Sequence, residues 1–379
     1  MPTTTRRSPL RTHLHALDTW VQRAITRRLR PAWHQGARQL QQALRQPGLG
    51  AVAATLAALR PAWHEAQAAL LTDVLTHAVD AARRAFVATL RQRYGVARTR
   101  RLWAAADAED DLEDEEDLED LEEAEDEDDL DDLEEAEDDL EDLEAPRRVA
   151  QGVLAALLFR PDATSPGSEP VPGSTRYPGQ ALSLDDRVRR NEARTAAELL
   201  AALHLAQRRA MVLDQALAAL RTLRPDDPRR RAVLRQVERS GRQALGGAPA
   251  ARDRLVARVR EARRDQGDAA RDMTRTAAAG EAEVLDDVVE THVERRAARR
   301  AEVLLRTAAA QAYSRTLVAE YRASGVVPQV RFVLSNVHRH EDLCDALAGV
   351  YALRDAPPCP VHPRCLCSLE PIFEAGSRE

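Results

Sequence analysis

Between Asp107 and Glu144 the chain carries 28 acidic residues and no basic one. Like charges at that density repel one another, and the leucine pairs among them (Leu118/Leu121, Leu130/Leu133 and Leu140/Leu143) are too sparse to bury a core. The string Leu-Glu-Glu-Ala-Glu-Asp at 121–126 returns at 133–138, a mark of low complexity. Residues 107–145 therefore cannot form the centre of a fold, and are expected to be a solvated tract, disordered or a fraying helix. A functional alternative makes the tract an internal polyanion that covers basic surfaces until nucleic acid displaces it. The tract also masks the charge of everything else. The whole chain is at −7, but outside the tract the remaining 34 acids face 55 bases, an excess of 21. All of those bases are arginine, and an imbalance of this size attracts nucleic acid or an acidic surface.

What can be packed on either side of the tract is limited by side-chain size. The 379 residues are 44% hydrophobic but only 3% aromatic. Two or three folded units are expected, with cores of Ala, Leu and Val, which suit helices packed closely through small side chains better than a large β-sandwich. Met1 to Trp20 has no apolar export-signal region, and apolar stretches such as Ala51 to Leu59 are far short of membrane-spanning length. No export signal and no membrane span are expected. All four cysteines, Cys344, Cys359, Cys365 and Cys367, lie in the last 36 residues. That is unlike a disulfide framework spread through a secreted fold, and fits a reducing cytoplasm.

The chain divides into five segments by composition and period. Residues 1–106 read as basic helices broken near Pro47, Gly48 and Gly50. Within them Leu29-Arg-Pro-Ala-Trp-His34 returns as Leu59-Arg-Pro-Ala-Trp-His64, which predicts a duplicated helix start with proline in the first turn and tryptophan packed inward. His34 and His64 are weak candidates for paired ligands beside ordinary surface or packing roles. After the acidic tract, residues 146–182 read as a short helix and a Pro/Gly linker. Residues 183–325 form a helical domain. Leu199, Leu203, Ala206, Ala210, Leu213, Leu217 and Leu220 lay one seam along a helix ended near Pro225 and Pro228. Leu285, Val289, Val293, Ala297, Ala301, Leu304 and Ala308 mark another long amphipathic helix reaching about Arg322. From 326 to 379 the period becomes extended, with short strands expected at Gln329–Leu334, Val350–Leu353 and Leu366–Pro371. The expected class is thus mainly α, with long amphipathic helices and a small C-terminal β-containing Cys/His module of zinc type.

That module holds the chemistry. Its residues run His338-Arg-His340-Glu-Asp-Leu-Cys344, then Pro358-Cys359-Pro-Val-His362-Pro-Arg-Cys365-Leu-Cys367. Thiolates and imidazoles are the ligands of a tetrahedral Zn2+ site, and a structural site needs four closing on one point. Cys344, His362, Cys365 and Cys367 supply four. Cys365 and Cys367, two apart on an extended segment, share a face, and His362 reaches back from the turn set by Pro363. Cys359, His338 and His340 are further candidates. Reduced buried thiols and a disulfide are the competing readings. A bound zinc would stabilise a module whose apolar core is too small to hold alone.

Asp342-x-Cys344-Asp345, Ala348-Gly349, Pro357-Pro358 and His362-Pro-x-Cys-x-Cys367, preceded by Leu305-Arg-Thr307 and Ala312-Tyr313, together resemble the phage head morphogenesis family of Mu F-like minor head proteins. The resemblance spans roughly residues 283 to 373. It implies a structural virion component near the portal that assists head assembly and genome handling. The implied partners are portal and major capsid proteins, phage DNA through arginine-rich surfaces, and further copies of the chain, with assembly in the host cytoplasm. Many members carry a second cysteine where this chain has Leu347, and an acid where it has Ala308. Cys359 or a histidine is then the substitute for the missing thiol.

Two other classes compete. A zinc deaminase needs His-x-Glu and Pro-Cys-x-x-Cys, whereas here His340 and Glu341 are adjacent and Cys359 is followed by His362. The sequence has no H-E-x-x-H, no G-x-S-x-G and no phosphate-cradling glycine loop, so no enzyme is expected. A nonspecific nucleic-acid-binding module is suggested by Arg229 to Arg231, Arg295/Arg296 and Arg299/Arg300, although solvated helix faces explain these arginines equally well.

Overall fold

A computed structural model of the protein describes residues 8–46, 48–96, 99, 183–224, 226–265, 270–335 and 342–373. The acidic tract, the expected short helix and linker at 146–182, and both His338 and His340 lie outside the described residues. In chain order the elements are α1 (Pro9–Leu44), α2 (Gly50–Tyr94), α3 (Leu184–Thr222), α4 (Arg230–Ala244), α5 (Pro249–Asp265) and α6 (Ala270–Val289). A π-helical segment (Glu290–Ala297) then joins α6 to α7 (Ala298–Ala323). The C-terminal module contributes β1 (Gln329–Val333), α8 (Leu343–Ala346), β2 (Gly349–Ala352), a 3-10 turn (Leu353–Asp355) and β3 (Ser368–Ile372). The fold is mainly α with a small C-terminal β-containing module, as the sequence implied. No helix among the described residues is long and apolar enough to cross a membrane.

Two compact units are built from interleaved stretches of chain. One draws on Met1–Ala24, Ala69–Arg187 and Val303–Glu379, the other on Ile25–Ala68 and Val188–Glu302. The first unit is centred on the aromatics that this chain otherwise lacks. Tyr313, Tyr321 and Phe86 are fully buried, and Phe86 meets Tyr321 edge-on at 5.2 Å. Each buried hydroxyl finds a carbonyl. Tyr313 donates to Leu10 at 2.8 Å and Tyr321 to Leu369 at 3.0 Å. Arg306 on α7 grips Asp18 on α1 through two bonds, at 2.6 and 2.8 Å. The sheet of this unit has the order β2-β1-β3, with both pairings antiparallel. β3 is tied down from outside the sheet by Tyr321 and by Arg11, whose Nε donates to Glu370 at 3.1 Å.

The second unit is an Ala/Leu/Val core. Leu213, Leu217, Leu234, Val237, Leu255, Val259 and Met273 form one buried cluster, and close packing depends on glycine. A Cβ at Gly280 would lie 2.7 Å from that of Ala251. The expected seam on α3 is buried at Leu199, Leu203, Ala210, Leu213, Leu217 and Leu220. Helix α3 starts where its sequence caps it. The Asp186 amide donates to the Ser183 hydroxyl at 3.1 Å, that hydroxyl donates to the Asp186 carboxylate at 2.8 Å, and Asp185 and Asp186 occupy the positive end of the dipole.

Two sequence expectations need correction. The repeated hexapeptides are not helix starts: Pro31 lies inside α1 and Pro61 inside α2. An interior proline costs about 3 kcal/mol through its missing N–H and its ring clash. Burial of Leu29, Trp33 and Trp63 around the two prolines offsets this. The tryptophans do pack inward, and the second copy packs on the first. The Trp63 indole donates to the Ala32 carbonyl at 3.4 Å and lies over Gly36. The second correction concerns phase. Beyond Val293 the expected seam is buried at Ala301 and Ala308, but Ala297 and Leu304 are only half-buried and Leu305 is buried beside them. A π turn takes up one residue more than an α turn, and past it the buried face takes in Leu305 together with Ala301 and Ala308.

Candidate metal centre

The short helix α8 delivers the first thiol. Asp342 caps it in both directions: its Oδ1 accepts the Cys344 amide at 2.7 Å, and its own amide donates to Asp345 Oδ2 at 2.7 Å. This capping box fixes Cys344, which is fully buried. The other thiols come from the loop before β3. There the Cys365 amide donates to the His362 carbonyl at 3.1 Å and the Arg364 amide to the Thr307 hydroxyl of α7 at 3.3 Å. Arg364 has φ 63°, the left-handed region disfavoured for a residue with a Cβ. That local strain is held by the flanking bonds, and it reverses the chain immediately before Cys365.

The result is convergence. The sulfurs of Cys344, Cys365 and Cys367 all lie within 4.8 Å of one another, and that of Cys344 is 3.6 Å from that of Cys365. Four sulfurs around a zinc at about 2.3 Å would stand roughly 3.8 Å apart in a tetrahedron, close to that separation. All four cysteines are free thiols, so the disulfide reading is not realised. A second group shares Cys344 and adds Asp342 and His362, again with ligand atoms within 4.8 Å of one another. Three buried cysteines, with a histidine and a carboxylate beside them, can hold a metal ion.

His362 is oriented for that role. Its Nδ1 lies 3.0 Å from the Pro363 carbonyl, which can only accept, so the proton of the neutral ring belongs on Nδ1. The lone pair is thereby left on Nε2. That nitrogen is buried without a hydrogen bond, 3.1 Å from Asp342 Oδ2. A lone pair facing a carboxylate at that distance is unfavourable unless a cation or a proton stands near both. A ligating histidine whose other nitrogen is held by a backbone carbonyl is the usual arrangement at metal sites.

The thiols respond to crowding in opposite directions. Burial pushes Cys344 well above the ordinary thiol range. Cys367 is also pushed up, by its hydrogen bond to Cys365 and then by burial. Cys365 is pulled down, first by the Cys367 thiol and then by backbone amides at Val361 and Cys367 that favour its thiolate. One thiolate is therefore accommodated and three are not, until a cation supplies the missing charge.

Of the residues singled out in the sequence, Cys344, Cys365 and Cys367 come together, and His362 joins Cys344 through the second group. Cys359 belongs to neither group. Its thiol donates to the Cys367 carbonyl at 3.0 Å, and burial raises it to about 12. That bond buttresses the backbone at Cys367. Asp342 carries no ligand signal in the sequence, since a carboxylate two residues before a cysteine at a helix start has capping as its ordinary role. His34 and His64 each face a different carboxylate, His34 at 2.8 Å from Glu294 and His64 at 3.5 Å from Glu192, and neither falls in a metal-type group among the described residues. No family model matches the chain, and no curated protein or solved structure matches it.

Proposed function

We propose that this chain is a structural minor head protein of the phage head-morphogenesis type, whose C-terminal module is locked by one zinc ion. The observation that carries the reading is the His-Pro-x-Cys-x-Cys ending. Its two cysteines meet Cys344 at a buried point with His362 beside them. Three thiolates and an imidazole make a closed four-ligand set, which is the structural kind of zinc site and leaves no position for a reactive water. In this reading Cys344, Cys365, Cys367 and His362 hold the ion, Asp342 and Cys359 position the ligands, and no residue carries catalysis. Zinc supplies charge neutralisation and cross-linking. The helices supply contacts to portal and capsid subunits, in the virion and during assembly in the host cytoplasm.

Metal content of the purified full chain, beside a Cys365→Ser, Cys367→Ser variant, tests the site. About one zinc per chain is expected. Its loss in the variant is expected to come with rapid proteolysis of residues 326–379. Metal-free protein with a protease-resistant tail would sink the zinc lock. The head role is tested separately, by mass spectrometry of particles pelleted after prophage induction in the source organism. Presence of the chain at a fixed ratio to portal protein is expected, and its absence from particles overturns the assignment.

A further inference from the structure

The arginines that the sequence offers as nucleic-acid contacts are mostly committed elsewhere. Arg229 pairs with Asp227 at 3.1 Å, Arg230 is buried, Arg295 pairs with Glu290 at 2.7 Å, and Arg300 reaches Glu198 at 2.5 Å. Among the described residues Arg231 is uncommitted, and it heads a second set. Arg231, Arg235 and Arg239 on α4 are exposed, and among the described residues none of them has an ion-pair or hydrogen-bond partner. They recur every fourth residue, so they share one helix face at about 6 Å intervals along the axis. The opposite face buries Leu234, Val237, Gly241 and Ala244, which pins the stripe outward. The only acid of α4, Glu238, is already shared by Arg242 at 2.7 Å and Arg263 at 2.6 Å. Nothing on the helix therefore offsets the stripe. Repeated like charges at this spacing weaken a helix, and among the described residues they persist here without a counter-charge.

We propose that Arg231, Arg235 and Arg239 form a binding stripe for the phosphate backbone of duplex DNA, read without regard to base sequence. The guanidinium fork matches two phosphate oxygens. Phosphates advance about 3.4 Å per nucleotide along a strand, so three arginines spread over two helical turns can each engage a different phosphate. Helix α4 contains no Trp, Tyr or Phe on which an unpaired base could stack, which favours duplex over single strand. The stripe does not depend on the zinc reading.

Titration of the full chain with a short duplex at several salt concentrations tests the stripe. Each phosphate neutralised contributes about 0.9 to the slope of log affinity against log salt. Arg231→Gln, Arg235→Gln, Arg239→Gln in one chain is expected to lower the slope by about 2 to 3 and to weaken low-salt binding tenfold or more, on the order set by that slope. The control is Arg229→Gln, Arg258→Gln, Arg295→Gln, which removes the same formal charge from exposed arginines paired with Asp227, Glu261 and Glu290. It is expected to leave the slope nearly unchanged, with circular dichroism confirming that both variants are folded. Equal losses in the two triples would reduce the effect to net charge and overturn the proposal. So would a stripe variant that binds like the parent, a parent with no salt-dependent binding, or a single strand that binds more tightly than the duplex.

Discussion

Glu198 sits between Arg300 at 2.5 Å and Arg194 at 2.9 Å, and these bonds, with Arg300 the larger cause, hold its carboxyl at about 2. A folded-state value below the unfolded one, about 4.3, stabilises the protein above the unfolded value, and the benefit is lost as pH falls through the folded one. The stability gap between the parent and Glu198→Gln should therefore shrink between about pH 5 and pH 2. Urea midpoints across that range would detect it, and a gap independent of pH would contradict the assignment. At Gly36 the control is steric. An added Cβ would lie 2.5 Å from Trp63 Cζ2, and overpacking of this kind costs about 1–3 kcal/mol. Gly36→Ala should lower the denaturant midpoint accordingly, and much less so in a Trp63→Leu background, because the two sites share the contact. An equal loss in both backgrounds would mean that the ring is not the obstacle. Site chemistry was largely legible at this scale. Cys365 and Cys367, two apart before a strand, point together as a period of two requires, and Cys344 follows a recognisable cap. The Nε2 of His362 and the diversion of Cys359 to a carbonyl were not legible, because both depend on where a loop carries its backbone.

Helix identity follows from period, and helix phase does not. The seam of α3 can be read residue by residue, since nothing interrupts its 3.6-residue repeat. The run from Ala270 to Ala323 can be read only in part: Leu285, Val289, Val293, Ala301 and Ala308 are buried as expected, but around and after the π segment at Glu290–Ala297 the residues Ala297 and Leu304 are half-buried and Leu305 is buried. A π segment holds one residue more than the α-helix needs. Deleting exposed Arg295 from it should give a chain that still unfolds cooperatively, the segment closing into regular helix. Deleting Gln311 in α7 should abolish the native transition, because it turns buried Ala312, Tyr313 and Leu317 out of their places. Comparable melting curves for the two deletions would refute this account of the segment. Pro31 and Pro61 taught the reverse lesson. Proline in a helix-forming stretch reads as a start, and only burial of the neighbouring tryptophans lets the helices run through.

Across the molecule, amphipathic seams announce that each helix needs a partner without saying which. The first unit joins α1 residues before Ala24 to α7 and β3, and no local pattern encodes that pairing. Residues 184–379 expressed alone, even with zinc, should lack the native near-ultraviolet signal of Tyr313 and Tyr321, since Leu10 and Phe86 are missing from around them. A cooperative, tyrosine-ordered fragment would show that the C-terminal module needs no N-terminal helix.

The bond from Tyr313 to Leu10 crosses 303 residues of chain, and that separation sets a timetable for synthesis. At about 5–20 residues per second, Leu10 leaves the ribosome roughly 15 to 60 seconds before its tyrosine is made. During that interval the stretch of α1 around Leu10 lacks the cover that Tyr313 supplies, and the nascent chain depends on temporary shelter, from chaperones or from its own earlier helices, until the C-terminal elements arrive.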